Sequence, residues 1–140
     1  MKNKKRSIAF GICILAALMF FGIQSCSQYE DNNGITLVSK TERVANVWKV
    51  DNYKVNDVDL TSLYGAYTET FTKEGAYSYQ WAILGGTATW AFQNNDAEIK
   101  ITDVLNVKTK TLTILKLEEK AFWYYYMDGT DKIEFHLIPQ

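Results

Sequence analysis

Glu134 and His136 are the first residues that could do chemistry, because His136 is the only histidine in the chain. Two residues apart on an extended segment, they share one face, with Phe135 and Leu137 on the other. A carboxylate beside an imidazole is two-thirds of a nucleophilic triad. The sequence places no nucleophile next to them, and no second His stands by to complete a metal set. If Phe135 and Leu137 point inward, His136 points out into solvent. Asp96 and Glu98 are a second same-face pair, as two carboxylates in a hydrolase would be. Asn94-Asn95 immediately before them makes turn chemistry the simpler cause. Asp128-Gly129-Thr130-Asp131 offers oxygens to calcium but falls far short of a loop with five or six ligand positions, so it reads as a hairpin. Gly85-Gly86 lacks the helix and lysine of a phosphate cradle. The residues thus lead to a chain with no catalytic centre, no metal and no cofactor.

Aromatic side chains are the unusual excess: four Trp, nine Tyr and seven Phe, 14% of the chain. Trp48 with Val50, and Trp90 with Phe92, alternate as core-facing pairs do. Phe122-Trp123-Tyr124-Tyr125-Tyr126-Met127 does not alternate, so both faces of that segment carry rings or apolar groups. Its outer residues, Trp123 and Tyr125, are either a contact surface for a protein or carbohydrate partner or an ordinary outer face, since tyrosine carries its own polar end.

The elements that must position these residues are mostly strands. Ser39-Lys40-Thr41-Glu42 has the spacing of a capping box and predicts a short helix over Lys40–Ala45. Beyond it the apolar pattern turns to period two and stays there. Eight strands are expected: Asn46–Val55, Ala66–Thr72, Ala76–Ala82, Thr87–Gln93, Ala97–Asp103, Thr111–Leu117, Ala121–Met127 and Asp131–Ile138. Turn-forming clusters separate them at Lys73-Glu74-Gly75, Gly85-Gly86, Asn94-Asn95-Asp96, Glu118-Glu119-Lys120 and Asp128-Gly129-Thr130. Pro139, the only proline, stands past the last strand and interrupts no ladder. Eight antiparallel strands in a meander close most simply into an up-and-down barrel, which removes exposed edges; a sandwich is the alternative. A barrel of that size either fills with side chains or holds one small ligand. The longer intervals, Asn56 to Gly65 and Val104 to Lys110, are where a mouth would be gated. Leu60, Leu63 and Tyr64 in the first either fold over an opening as a lid or plug the end of the core.

The first 26 residues form a separate unit. Lys2, Lys4, Lys5 and Arg6 precede the apolar run Ile8–Ile23, and Ile23-Gln24-Ser25-Cys26 follows. A basic start, a greasy core shorter than the ~20 residues of a spanning helix and small residues before a cut site describe a secretory signal. With its terminal cysteine it resembles a bacterial lipoprotein signal, which implies removal of residues 1–25 and lipid on Cys26. The resemblance places the chain in the cell envelope, at the outer membrane on its periplasmic or surface face, held by that lipid. Residues 26–38 then serve as a polar tether and 39–140 as the folded domain. Cys13 would leave with the signal, so no thiol would remain for a disulfide, a nucleophile or zinc. All 16 acidic residues but only 11 of the 15 basic ones follow residue 25, a formal charge of −5. That acidic domain carries no footprint for nucleic acid.

Three segments of the domain resemble bacterial lipocalin-like lipoproteins. Asn46-Val47-Trp48 opens the first strand after a short helix as Gly-x-Trp does in lipocalins, with Asn46 in the glycine's place. Phe71-Thr72-Lys73-Glu74-Gly75-Ala76-Tyr77 resembles the Phe-x-x-Asp-Gly-x-Tyr hairpin, and Thr87-Ala88-Thr89-Trp90-Ala91-Phe92 the Gly-x-Trp-x-Phe strand. The likeness implies a barrel that binds a small apolar or amphipathic ligand. Trp48, Phe71, Trp90 and Phe92 are then expected to line its interior, with Tyr64 near the mouth. The alternative function is a filled barrel contacting an envelope protein through Trp123 and Tyr125.

Overall fold

Capping chemistry and strand alternation both take effect in the computed structural model of the chain, which describes residues 37–140. Residues 1–36, on which the expected signal, the lipidated Cys26 and most of the expected tether fall, lie outside the described residues. Helix α1 (Lys40–Val44) is closed at its start by the expected box: Ser39 Oγ accepts from Glu42 N–H at 3.2 Å, and Glu42 Oε2 accepts from Ser39 N–H at 3.1 Å.

The strands are β1 (Val47–Val55), a two-residue β2 (Val58–Asp59), β3 (Tyr67–Phe71), β4 (Ala76–Trp81), β5 (Leu84–Gln93), β6 (Glu98–Asp103), β7 (Lys108–Glu118), β8 (Ala121–Asp128) and β9 (Asp131–Pro139). Neighbours in sequence pair antiparallel from β3 through β9, and β1 pairs with both β3 and β9. The result is a closed eight-stranded up-and-down barrel, compatible with a lipocalin-like fold, with β2 as a flap on β1. The sandwich alternative is excluded by the β1–β9 ladder, which runs from Trp48 opposite Pro139 to Val55 opposite Ile133.

Up-and-down order sends α1 and the β3–β4, β5–β6 and β7–β8 turns to one end. The β4–β5, β6–β7 and β8–β9 turns, with the β2–β3 connection, go to the other. The α1 end is packed solid. Trp48, Phe71, Phe122, Ile99, Leu112, Leu117 and Leu137 are all essentially fully buried there. Trp48 and Phe71 each meet Phe122, at ring separations of 5.8 and 5.6 Å, and Phe71 meets Trp90 edge-on at 5.7 Å. Such tilted pairs add about 0.5–1.5 kcal/mol each beyond the area they bury. The helix is the lid of this end: Trp48 Nε1 donates to Val44 O at 2.8 Å, and Arg43 Nη1 to Leu117 O at 3.0 Å. Asn46 needs no left-handed backbone, since it is not among the residues of positive φ; its Oδ1 instead accepts from Val47 N–H.

One expected turn falls elsewhere. Gly85-Gly86 lies inside β5, opposite Gln80 and Tyr79, and the turn is at Ala82-Ile83. The glycines answer a close approach instead: a Cβ on Gly86 would sit 2.6 Å from the Tyr79 ring, and one on Gly85 2.9 Å from the Tyr79 carbonyl. The β6–β7 loop is likewise shorter than expected, with β7 beginning at Lys108.

Candidate functional site

Above the packed end, alternation on β3 aims Tyr67, Glu69 and Phe71 inward. Glu69 is 2% exposed. Tyr67 and Tyr77 donate their hydroxyls to its Oε1 at 2.7 and 2.8 Å, and Tyr124 reaches both carboxylate oxygens at 2.9 Å. This cluster crosses the barrel as a polar floor. Burial pushes the Glu69 carboxyl up, against the pull of the three hydroxyls. Burial, then the adjacent Glu69 charge, pushes all three phenols up in turn.

On that floor stands a cavity of about 740 Å³, open at the end away from α1. Rings supply part of its lining, Tyr64, Tyr67, Tyr79, Trp81, Tyr126 and Phe135 among them, and the rest comes from Gly85–Ala88 on β5 and from the more polar β6–β7 hairpin, with Asp103, Asn106, Lys108 and Lys110. Tyr64 stacks between Tyr53 (3.9 Å) and Trp81 (4.9 Å, 8° between planes) and meets Phe135 edge-on. The β2–β3 connection therefore turns one ring into the barrel as wall, while Leu63 remains exposed and Leu60 packs on the core. Lys110 enters from β7, on the inward face it shares with Leu112 and Ile114. It is hemmed in by protein yet open to the cavity, with Nζ 4.2 Å over the Tyr126 ring. Burial holds its ammonium below the ordinary lysine range, while Glu69 and Asp128 oppose that shift. Among the described residues no carboxylate forms an ion pair with Lys110.

The barrel wall is open beside Lys110. Pairing of β7 with β8 starts at Thr113 opposite Tyr125, so the Lys108–Leu112 stretch has no β8 partner. A groove of about 480 Å³ fills the gap, bordered by Thr109, Lys110, Thr111, Tyr126 and Met127.

Tyr64, expected near the mouth, lines this cavity. The four residues expected to line the interior, Trp48, Phe71, Trp90 and Phe92, stand elsewhere. They belong to the packed end, where Trp90 Nε1 donates to Thr72 O and the Phe92 ring stands edge-on to Trp90 at 5.5 Å. The lining comes instead from Tyr67, Tyr77, Tyr79, Trp81, Tyr126 and Lys110, and its floor is set by Glu69. Period two on Tyr67-Thr68-Glu69-Thr70-Phe71 carries the signal for Glu69, an acid on the face of two rings.

Trp123 and Tyr125 face outward, half-buried. The His136 ring stacks on Trp123 at 4.2 Å and Lys116 lies over its other side, while Lys132 lies over Tyr125. His136 is outward as expected but covered rather than solvated, its Nε2 2.7 Å from Glu134 Oε1. Burial alone would raise the Glu134 carboxyl; hydrogen bonds from Lys132 and His136 bring it below its ordinary value. Asp96 and Glu98 do not meet: Asp96 sits in the turn at φ 63° and pairs with Lys40, and Glu98 accepts from Gln93. Asp128 and Asp131 close a hairpin across Gly129. Among the described residues no three His, Cys, Asp or Glu side chains come together as a metal set.

No protein-family model matches the chain, and a search of curated proteins finds no match.

Proposed function

We propose that this chain is a membrane-anchored envelope lipoprotein of the lipocalin-like kind, whose barrel binds a small amphipathic molecule and catalyses nothing. One observation carries the binding reading: a cavity of about 740 Å³, lined in part by aromatic rings, stands over a floor that is already hydrogen-bonded to itself. That volume is typical of sites for small ligands, which are mainly apolar with a few placed polar groups. The apolar body of the ligand lies against Tyr64, Trp81 and Tyr126, and its polar end meets Lys110, which has no ion-pair partner among the described residues. Anchoring rests on the resemblance of residues 1–26 to a lipoprotein signal. Two acyl chains on Cys26 would make attachment effectively permanent. The outer aromatics support a partner-binding reading less well, because lysine and histidine side chains already cover Trp123 and Tyr125.

Native mass spectrometry of the full chain, extracted from cells without denaturant, tests this reading. The expected spectrum shows lipid on Cys26 and a further small-molecule mass that a Trp81→Ala, Tyr126→Ala variant loses. Retention of Trp48 and Phe71 in that variant keeps the packed end intact as a control. A wild-type protein that carries no such mass in any extract overturns the binding reading.

A further inference from the structure

The turns at the α1 end, and those flanking β1 and β9, follow ordinary hairpin chemistry. Residues of positive φ there are Asn56, Asp57, Gly75, Asn94, Asn95, Asp96 and Gly129, the types that tolerate that region. Two turns depart from this rule: Ala82 (φ 52°) between β4 and β5, and Val107 (φ 53°) between β6 and β7. A non-glycine residue in the left-handed region is disfavoured, and a β-branched one such as Val107 is strained there. Both turns lie at the same end, on the rim of one cavity. Both also carry the most exposed aliphatic side chains among the described residues apart from Leu37: Ile83 (96%) on one, Leu105 (88%) and Val107 (90%) on the other. Leu84 and Val104 beside them are exposed as well. Residue choices that weaken two hairpins and expose five aliphatic groups together call for something that covers them.

We infer that the β4–β5 and β6–β7 tips insert into the apolar layer of a phospholipid surface, docking the barrel mouth onto the membrane. The shape of the patch favours lipid over a protein partner. A stable protein contact needs about 800 Å² per side of closely fitted surface, whereas these are two narrow, convex hairpin tips, which a soft layer accommodates. Behind the tips stand Lys108 on β7 and the half-exposed Trp81 at the end of β4. Long basic side chains and indoles suit the headgroup level, where stem or ring is apolar and the end polar. The opposite side of the rim carries Asp57, Asp59, Asp128 and Asp131 against Lys54 and Lys132, whereas on the β6–β7 side the one rim carboxylate, Asp103, stands opposite Lys108; the more acidic side would stay clear of an anionic surface, so the barrel leans on its β4–β7 side.

The inference rests in part on the anchored reading above, and the tether allows it. The 13 residues between Cys26 and α1 reach at most about 45 Å when extended. The 11-residue β7 spans only about 36 Å at strand rise. A barrel held from its closed end can therefore turn its mouth to the membrane that holds it, and an amphipathic ligand would pass between bilayer and cavity without crossing water.

An environment-sensitive NBD label on Leu105→Cys, with Asn95→Cys at the opposite end as control, tests the inference. Both are made in the full chain carrying Cys13→Ala, placed with phosphatidylcholine–phosphatidylglycerol vesicles; intact mass reads what Cys26 carries, and the Cys13→Ala parent treated with the same reagent supplies the signal of any label on a bare Cys26, which is subtracted. The Leu105 label should shift to the blue and be quenched by doxyl lipid, and the Asn95 label should not. Changing Ala82-Ile83 to Asn-Gly should raise folding stability and weaken the lipid contact about tenfold, the effect of losing one buried aliphatic side chain. A lipidated protein whose Leu105 label stays water-like overturns the inference and leaves the anchor standing. A bare Cys26 with a blue-shifted label overturns the anchor alone, and a bare Cys26 with a water-like label overturns both. A shift seen with native membranes but not with pure lipid assigns the tips to a protein and also overturns the inference.

Discussion

A carboxylate enclosed by protein, with three phenolic hydroxyls on it and no ion-pairing cation among the described residues, titrates upward. That is the state of Glu69: burial raises its carboxyl, and Tyr67, Tyr77 and Tyr124 offset the rise only in part. The folded barrel then binds the proton more tightly than the unfolded chain, whose glutamates titrate at about 4.3. Between those two values the native state holds more protons, so stability falls as pH rises. Glu134 has the opposite sign: its carboxyl is lowered in the fold, so its contribution is present at neutral pH and is lost as acid protonates it. Denaturant midpoints measured from pH 3 to 8 should separate them. Glu69→Gln should flatten the fall on the upper side of pH 4.3, and Glu134→Gln the loss on the acid side. An unchanged slope in Glu69→Gln would mean that Glu69 is not the group responsible. Glu69→Leu should be worse than Gln by about 1–3 kcal/mol, because the fully buried Tyr124 hydroxyl loses its partner.

Strands and turns were legible where one local rule decides them, and less so where a distant contact does. The capping box at Ser39 and the period-two segments mark α1 and all eight barrel strands to within about three residues, because alternation and turn residues agree there. Gly85-Gly86 misleads because turn chemistry and close approach call for the same residue, and the Tyr79 ring that needs the space is carried by another strand. The cavity wall misleads for a similar reason. Trp48, Phe71, Trp90 and Phe92 do face inward, but alternation gives the face of a residue and not its height along the barrel axis. The two glycines separate by a direct comparison. Gly85→Ala presses on the Tyr79 carbonyl, which a paired strand cannot move cheaply, and should lower stability by about 1–3 kcal/mol, the usual cost of overpacking. Gly86→Ala meets first the Tyr79 ring, a side chain that can swing aside, so its stability should change less while the cavity wall loses its fit. Equal denaturation midpoints for the two variants would refute this distinction.

Closure of the whole barrel depends on ladders of unequal length. β1 joins β9 over seven register pairs but β3 over only three, and above that short seam Tyr64 and its connection fill the space. The β7–β8 seam has no such filler above Thr113. Ile114 N–H bonds Ala97 O on the β6 side, so by alternation the amides of Leu112 and Lys110 also point to β6. Those of Thr109 and Thr111 point the other way, into the groove, where no β8 residue pairs with them. Native-state hydrogen exchange should therefore split one strand by parity: Thr109 and Thr111 exchanging as open-edge amides, Lys110 and Leu112 protected with the β6 ladder. Protection of all four would mean that the seam is zipped in solution and the cavity has only its axial mouth. The expected split leaves Lys110 reachable from the side of the barrel as well as from its end. A ligand with its polar end at that lysine could then enter body first, with no need for the rings of Tyr64 and Trp81 to part.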